Sequence, residues 1–187
     1  MSIQIKEINA GNLADLFSPC AECIYWEAPE RFGLNEHGQP KEQAETTSLI
    51  KRDWFTKTIK VIGCTGMILY AQREAAGYAQ FAPPHLLGAI AEYSNHISPP
   101  DPDGMVISCL YIKPEYQRQG LGSVLLHAIV EKLRMEGYPI VQTYARDDSS
   151  NNCSGPTEFY LQNGFSVIES RQWEQAAFSL LSLKLID

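Results

Sequence analysis

Gln117-Arg118-Gln119-Gly120-Leu121-Gly122 stands between an apolar run and an amphipathic one, and that placement limits what this part of the chain can become. Upstream, Met105-Val106-Ile107-Ser108-Cys109-Leu110-Tyr111-Ile112 is rich in β-formers and has the length of one strand. Downstream, Leu121, Leu125, Ile129 and Leu133 recur at helical spacing, and Gly137 suits the end of that helix. Strand, glycine turn and helix start leave the first N–H groups of the helix without carbonyl partners. With the helix dipole behind them, such groups attract an anion, so a ligand carrying phosphate is expected here.

The residues separate several phosphate loops that share this outline. A dinucleotide loop needs glycines spaced G-x-G-x-x-G, but Leu125 stands where the third would fall. A nucleotide P-loop ends in Gly-Lys-Ser/Thr, whereas Gly122 is followed by Ser123 and Val124. What remains is Gln/Arg-x-x-Gly-x-Gly behind a strand and Lys113-Pro114. A glycine turn with no ligand is the other reading of the same residues.

Length and composition bound the rest. A chain of 187 residues, 44% hydrophobic, can bury one sizeable core, so a single domain over residues 1–187 is the default. No opening run is long and apolar enough for a signal peptide or a membrane span, and residues 3–8 alternate like a strand; a cytoplasmic protein is expected. The net charge of −7 argues against a nucleic-acid partner and fits a cationic small molecule or peptide. The five cysteines then read as reduced thiols. Cys20-x-x-Cys23 has the spacing of half a zinc site or a redox pair, yet no second Cys/His pair lies at a matching interval, so no metal is expected.

From end to end, a strand (3–8) leads to a short helix (12–17) stopped by Ser18-Pro19, then an irregular stretch (20–40). A helix follows over 41–60 with Leu49, Ile50, Trp54 and Ile59 as a weak apolar face. Strands at 66–72 and 77–81, joined by Arg73-Glu74-Ala75-Ala76, read as a hairpin. Pro83-Pro84 ends it, and residues 85–104 are partly loop, with a helical turn around 86–93. After the central strand and helix come a strand (140–145), a polar loop (146–153), a helix (157–163) and closing strands at 165–168 and 178–186. Strands grouped first, then a β-α-β-α-β run, predict an α+β domain with a mixed sheet flanked by helices.

The loop at 117–122 resembles the acetyl-CoA pyrophosphate loop of the GNAT N-acetyltransferases. Phe159-Tyr160-Leu161-Gln162-Asn163-Gly164-Phe165 resembles the Phe/Leu-Tyr-x-x-x-Gly-Phe segment that follows it in that family. Two motifs in this order and spacing are far more specific than either alone. The resemblance implies the GNAT fold, a central twisted, mostly antiparallel mixed sheet flanked by helices. It also implies acetyl-CoA as acetyl donor, with no metal, and a primary amine of a small molecule or peptide as acceptor. Insertions that would shape the acceptor site are expected near 20–40 and 85–104, and a homodimer is common in the family.

Site residues follow from the resemblance position by position. The backbone of Gln117, Arg118, Gln119, Gly120, Leu121, Gly122 and Ser123 would hold the pyrophosphate. Glycine at 120 and 122 would let the phosphates approach, since a Cβ would hold them away. Arg118 either adds a charge contact or is solvated. Leu110, Tyr111 and Ile112 would pair with the pantetheine arm through their main chain and offer an N–H to the developing oxyanion. Tyr160 would be the general acid for the departing thiolate; a core-packed tyrosine with its hydroxyl at the edge is the alternative.

The acceptor side is less legible. A lysine-like amine is neutral at pH 7 in only on the order of one molecule in a thousand, so the reaction needs help with a proton. Many relatives place a glutamate where this chain has Gln142, and an asparagine where it has Cys153; Asn152, one step away, is the substitute. Glu27, Glu92, His85 and His96 are candidate bases, as is a water chain. Tyr25, Trp26, Phe32 and Tyr93 form either an apolar acceptor wall or a satellite core under a long loop. Cys109 neighbours the thioester strand but is expected only to pack. The function read from these residues is direct acetyl transfer in a ternary complex; the competing reading, favoured by Gln142, is an acyl-CoA-binding sensor or interaction module without turnover.

Overall fold

The computed structural model describes residues 2–147, 155–173 and 175–186. Seven strands form one sheet: β1 (Ile3–Glu7), β2 (Gly66–Ala71), β3 (Glu74–Ala82), β4 (Met105–Ile112), β5 (Ile140–Arg146), β6 (Ser166–Trp173) and β7 (Ala176–Lys184). Their spatial order is β1-β2-β3-β4-β5-β7-β6. The β4–β5 pairing is parallel and the others are antiparallel, as expected for a mixed, mostly antiparallel sheet. Four helices flank it: α1 (Ala44–Ile62), α2 (Ile90–His96), α3 (Leu121–Met135) and α4 (Thr157–Gln162).

The β2–β3 turn is tighter than the polar run suggested. Gln72 and Arg73 both take positive φ, 53° and 75°, the left-handed pair that matches the twist of a two-residue hairpin. Glu74 and Ala75 therefore belong to β3 and pair with Ala71 and Tyr70. Neither turn residue is Asn or Gly, so the turn carried no signal. At the far edge, β6 runs to Trp173 rather than stopping near 168, because its later residues are polar and exposed on an edge strand.

α3 lies over β2, β3 and β4 on one face, where Leu121, Leu125, Leu126, Ile129 and Leu133 pack with Leu69, Phe81, Ile107 and Leu110. α1 and α2 cover the other face. Phe55 of α1 packs there with Ile68, Tyr70, Tyr78 and Cys109, and Tyr93 of α2 with Val106, Tyr144 and Phe178. Of the face expected for α1, Trp54 and Ile59 pack against the core, Ile50 is half-buried and Leu49 points away. Leu49 is 66% exposed, and the buried residues are Thr47, Lys51, Phe55 and Thr58. A buried lysine shifts the stripe, and its partner comes from residues 20–40.

Those residues have little regular structure: a 3-10 turn at Pro29–Arg31 and a bridge between Leu34 and Pro40. The segment near 85–104 carries a 3-10 turn, Pro84–Leu86, and α2. Trp26 stacks on Tyr93 with ring centroids 4.8 Å apart, and Tyr93 meets Tyr144 at 4.7 Å. Trp26 and Tyr93 are buried, so this pair belongs to the core between sheet and loop rather than to an open wall; Tyr25 and Phe32 remain partly exposed around it.

Candidate active site

One residue in β4 opens the sheet. The β3–β4 ladder pairs Phe81 with Ile107 and Gln80 with Cys109, so Ser108 is an extra residue with no opposite number. Such a bulge bends its strand and reverses which side chains face which side beyond it. Ile107 faces α3, and so do Leu110 and Ile112, while Cys109 and Tyr111 face the α1 side. At this point β4 also leaves β5: the parallel pairing covers Met105–Ile107 and stops. The β4 edge from Ser108 onward is therefore not laddered to β5.

The gap leads into a cleft of about 430 Å³. Leu110, Tyr111 and Ile112 line it from the strand, and Gln117, Arg118, Gly120, Leu121, Gly122 and Ser123 from the loop and the start of α3. Gln119 does not line it; its side chain turns back and donates to the Glu115 carbonyl at 3.2 Å. Asn152, like Cys153, lies outside the described residues. Phe159 and Gln162, which stand in the second motif, also line the cleft, as do Tyr116, Gly155 and Pro156, which were not expected there from the sequence.

The loop conformation explains its residues. Arg118 (φ 59°) and Gly120 (φ 76°) are both left-handed, and no side chain caps α3. The Val124 N–H, donating to Gly120 O at 3.1 Å, begins the helical ladder; among the described residues the N–H groups of 118–123 make no backbone bond. Such unpartnered N–H groups are what a strand, glycine turn and helix start leave behind. Gln117 ties the loop to the strand by donating from Nε2 to Ile112 O at 2.9 Å.

The two glycines serve different ends. At Gly120 there is open space for a Cβ, and the left-handed backbone is what favours glycine. At Gly122 a Cβ would sit 3.3 Å from the Phe159 ring, so its smallness lets α4 approach α3. Gly120→Ala should therefore cost about 1–2 kcal/mol of backbone strain. With that strain turning the N–H array, acetyl-CoA affinity by calorimetry is expected to fall about tenfold.

Tyr160 sits on the second turn of α4 at the inner end of this cleft. Asp147, after β5, accepts from the Thr157 N–H at 2.8 Å and from its hydroxyl at 2.7 Å, and so pins the start of α4 to the strand. Phe159 and Phe165 flank the Tyr160 ring edge-on. The side chain is fully buried, and its hydroxyl meets no hydrogen-bond partner among the described residues. Burial holds the phenol well above its ordinary pKa, with the Thr143 hydroxyl acting the other way. That hydroxyl is itself committed to Ile107 O at 3.0 Å. A protonated phenol lining a cleft suits a proton donor.

The candidate bases separate by burial. His85, His96 and Glu92 are exposed, His96 stacked on Trp173 and Glu92 accepting from Tyr25. Gln142 is buried and accepts the Asp101 N–H at 2.6 Å, which anchors the loop before β4. The Glu27 side chain is only 1% exposed and pairs with Lys51, itself 3% exposed, at 2.7 Å. Lys51 also donates to Gln80 Oε1 at 2.8 Å, Gln80 Nε2 donates to Glu27 Oε1 at 2.6 Å, and the Tyr78 hydroxyl donates to Gln80 Oε1. Burial alone would lower the Lys51 pKa; Glu27 beside it outweighs that and leaves the ammonium above its ordinary value. Among the described residues, no three His, Cys, Asp or Glu side chains gather to hold a metal ion, and Cys20, Cys23, Cys64 and Cys109 form no disulfide. No helix among them is long and apolar enough to cross a membrane.

Solved structures share this fold across nearly the whole chain. The PaiA N-acetyltransferase of Thermoplasma acidophilum, in complex with coenzyme A, is 17% identical over 98% of this chain and 99% of that one, with a TM-score of 0.60. The ribosomal-protein-S18-alanine N-acetyltransferase of Escherichia coli is 16% identical over 100% and 96%, with a TM-score of 0.58. YncA of Salmonella typhimurium, solved with its cofactor acetyl-CoA, is 14% identical over 99% and 95%, with a TM-score of 0.58. No curated protein sequence matches the chain. The family model for the acetyltransferase (GNAT) domain matches residues 59–167, the stretch from the end of α1 into β6 that holds the bulge, the loop and Tyr160. On that match, which takes in more than half of its length, the chain belongs to the GNAT acetyltransferase family.

Proposed function

We propose that this protein moves the acetyl group of acetyl-CoA to a primary amine of a small molecule or peptide, by direct attack in a ternary complex. One observation carries the reading: a single cleft brings together N–H groups at a helix start that have no partner among the described residues, an unladdered strand edge and a buried, protonated phenol. The N–H groups of 118–123 suit a pyrophosphate. The β4 edge at Leu110, Tyr111 and Ile112 suits the amides of a pantetheine arm, which would add to the sheet as a short strand. Tyr160 suits protonation of the departing thiolate.

In this reading Cys109 forms no acyl-enzyme. Its side chain is buried on the α1 side of β4, across the strand from the cleft that Leu110 and Ile112 line. Gln142 gives no support to a sensor without turnover, because its amide oxygen is spent on the loop at Asp101. The test is a thermal melt with acetyl-CoA. At about 100 times the Kd the ligand should add about 2.7 kcal/mol of stability. For a chain of this size that raises the Tm by roughly 5–11 °C. ATP and NAD at the same concentration should leave it unmoved; equal shifts with all three would refute the assignment.

A further inference from the structure

We propose that Glu27 is the seat of the acceptor amine: its Oε2 takes a hydrogen bond, then a proton, from the attacking nitrogen, while Lys51 and Gln80 fix the carboxylate through Oε1. The proposal rests on the acetyl-transfer reading above. Both partners of the Glu27 carboxylate converge on one oxygen, Lys51 at 2.7 Å and Gln80 at 2.6 Å. The other oxygen is buried and has no partner among the described residues. A buried acceptor left unmade is costly, and a purely structural ion pair would gain by using both oxygens. Oε2 therefore reads as an acceptor kept for a donor that arrives from outside.

Its place in the fold points to that donor. Gln80 stands opposite Cys109, the residue after the bulge and before Leu110, where β4 has left β5. Through Gln80, Glu27 thus meets the β3–β4 pair next to Leu110 from the α1 side of the sheet, while Tyr160 packs on the α3 side. A second cavity of about 430 Å³ lies between the segment around Glu27 and the start of α1. Phe32, Leu34 and Pro40 line it together with Glu22 and the Arg31–Glu42 ion pair, and Thr47, one helical turn before Lys51, reaches it from the buried face of α1.

The step balances without a further reactant. The amine lone pair forms the C–N bond to the thioester carbonyl carbon, and the C–S bond breaks. Sulfur takes the Tyr160 proton, and nitrogen gives its surplus proton to Glu27 Oε2. That proton returns through water to the Tyr160 oxygen, restoring both residues. Lys51 is a positioning residue, holding Oε1 so that Oε2 faces the amine.

Propylamine and acetyl-CoA serve as probes, with thiol release as readout, in the wild type, Glu27→Gln and the double variant Glu27→Gln/Lys51→Met. The double variant removes both buried charges together and so keeps the fold from carrying an unpaired one. Expected is a loss of about 100-fold or more in kcat/KM for propylamine in both variants, with the Kd for acetyl-CoA within about twofold of wild type. In ¹³C-glutamate spectra, the signal absent from Glu27→Gln should shift saturably with propylammonium and stay still with tetramethylammonium, which has no N–H. A folded double variant that binds acetyl-CoA and keeps its turnover within threefold would overturn the Glu27 assignment alone. So would a Glu27 signal that ignores propylammonium or answers tetramethylammonium equally. No affinity for acetyl-CoA in the wild type would overturn the acetyl-transfer reading and this proposal with it.

Discussion

Tyr160→Phe is expected to lower kcat by about 10²- to 10⁴-fold, the usual range for loss of a positioned proton donor. The substitution is unusually clean here. The ring is held by Phe159, Phe165 and the backbone at Gly155, and its hydroxyl has no partner among the described residues. Removing that oxygen loses no more than the approach of the Thr143 hydroxyl, so the melting temperature should stay close to wild type and acetyl-CoA should bind as before. The pH profile of kcat gives a second check. Because burial raises the phenol's pKa, the donor stays protonated through pH 10, and the alkaline limb should fall only above that. Full turnover in the phenylalanine variant across the pH range would remove Tyr160 from the chemistry.

Glu27→Ala should be the most destabilising of the substitutions considered. It leaves the Lys51 ammonium buried against Gln80 and Tyr78 without its counter-charge, and breaking such a pair by one partner costs about 3–5 kcal/mol. For a chain of this length the Tm should drop by roughly 6–20 °C. Urea unfolding of Glu27→Gln/Lys51→Met, which removes both charges while keeping the shapes, should recover most of that loss. The pH dependence has a definite sign. The folded-state pKa of Lys51 is raised, so the stability it contributes is present below about pH 10.4 and fades as pH rises through the folded value. If Glu27→Ala melted within a degree or two of wild type, the pair would have no structural weight.

What could be read from the sequence depended on whether the information was local. β4 and α3 were placed almost to the residue, because both are strongly patterned and a glycine turn separates them. The unpaired N–H groups of the loop were legible for the same reason: they depend on main-chain geometry alone, which a glycine turn before a helix marks. Tyr160 was reached through the spacing of its motif. The burial of Lys51 was not legible, because its partners lie 24 and 29 residues away and no periodicity marks a lysine for the interior. Leu49 was wrongly included in the expected stripe, and Lys51 left out of it, for that reason. Glu27 could be named only as one of four candidates, since exposure, which separates it from Glu92, His85 and His96, is a property of the fold. Asp147 went unmarked because its partner, Thr157, lies across a loop.

The single unmatched serine in the fourth strand has a last implication. Without Ser108 the alternation of β4 would run on unbroken, Leu110 and Ile112 would turn toward the α1 side, and the strand would keep its course alongside β5. The opening through which donor and acceptor could meet is thus set by a count of residues, not by the chemistry of any side chain. In this stretch a change in length is a graver alteration than most changes in identity.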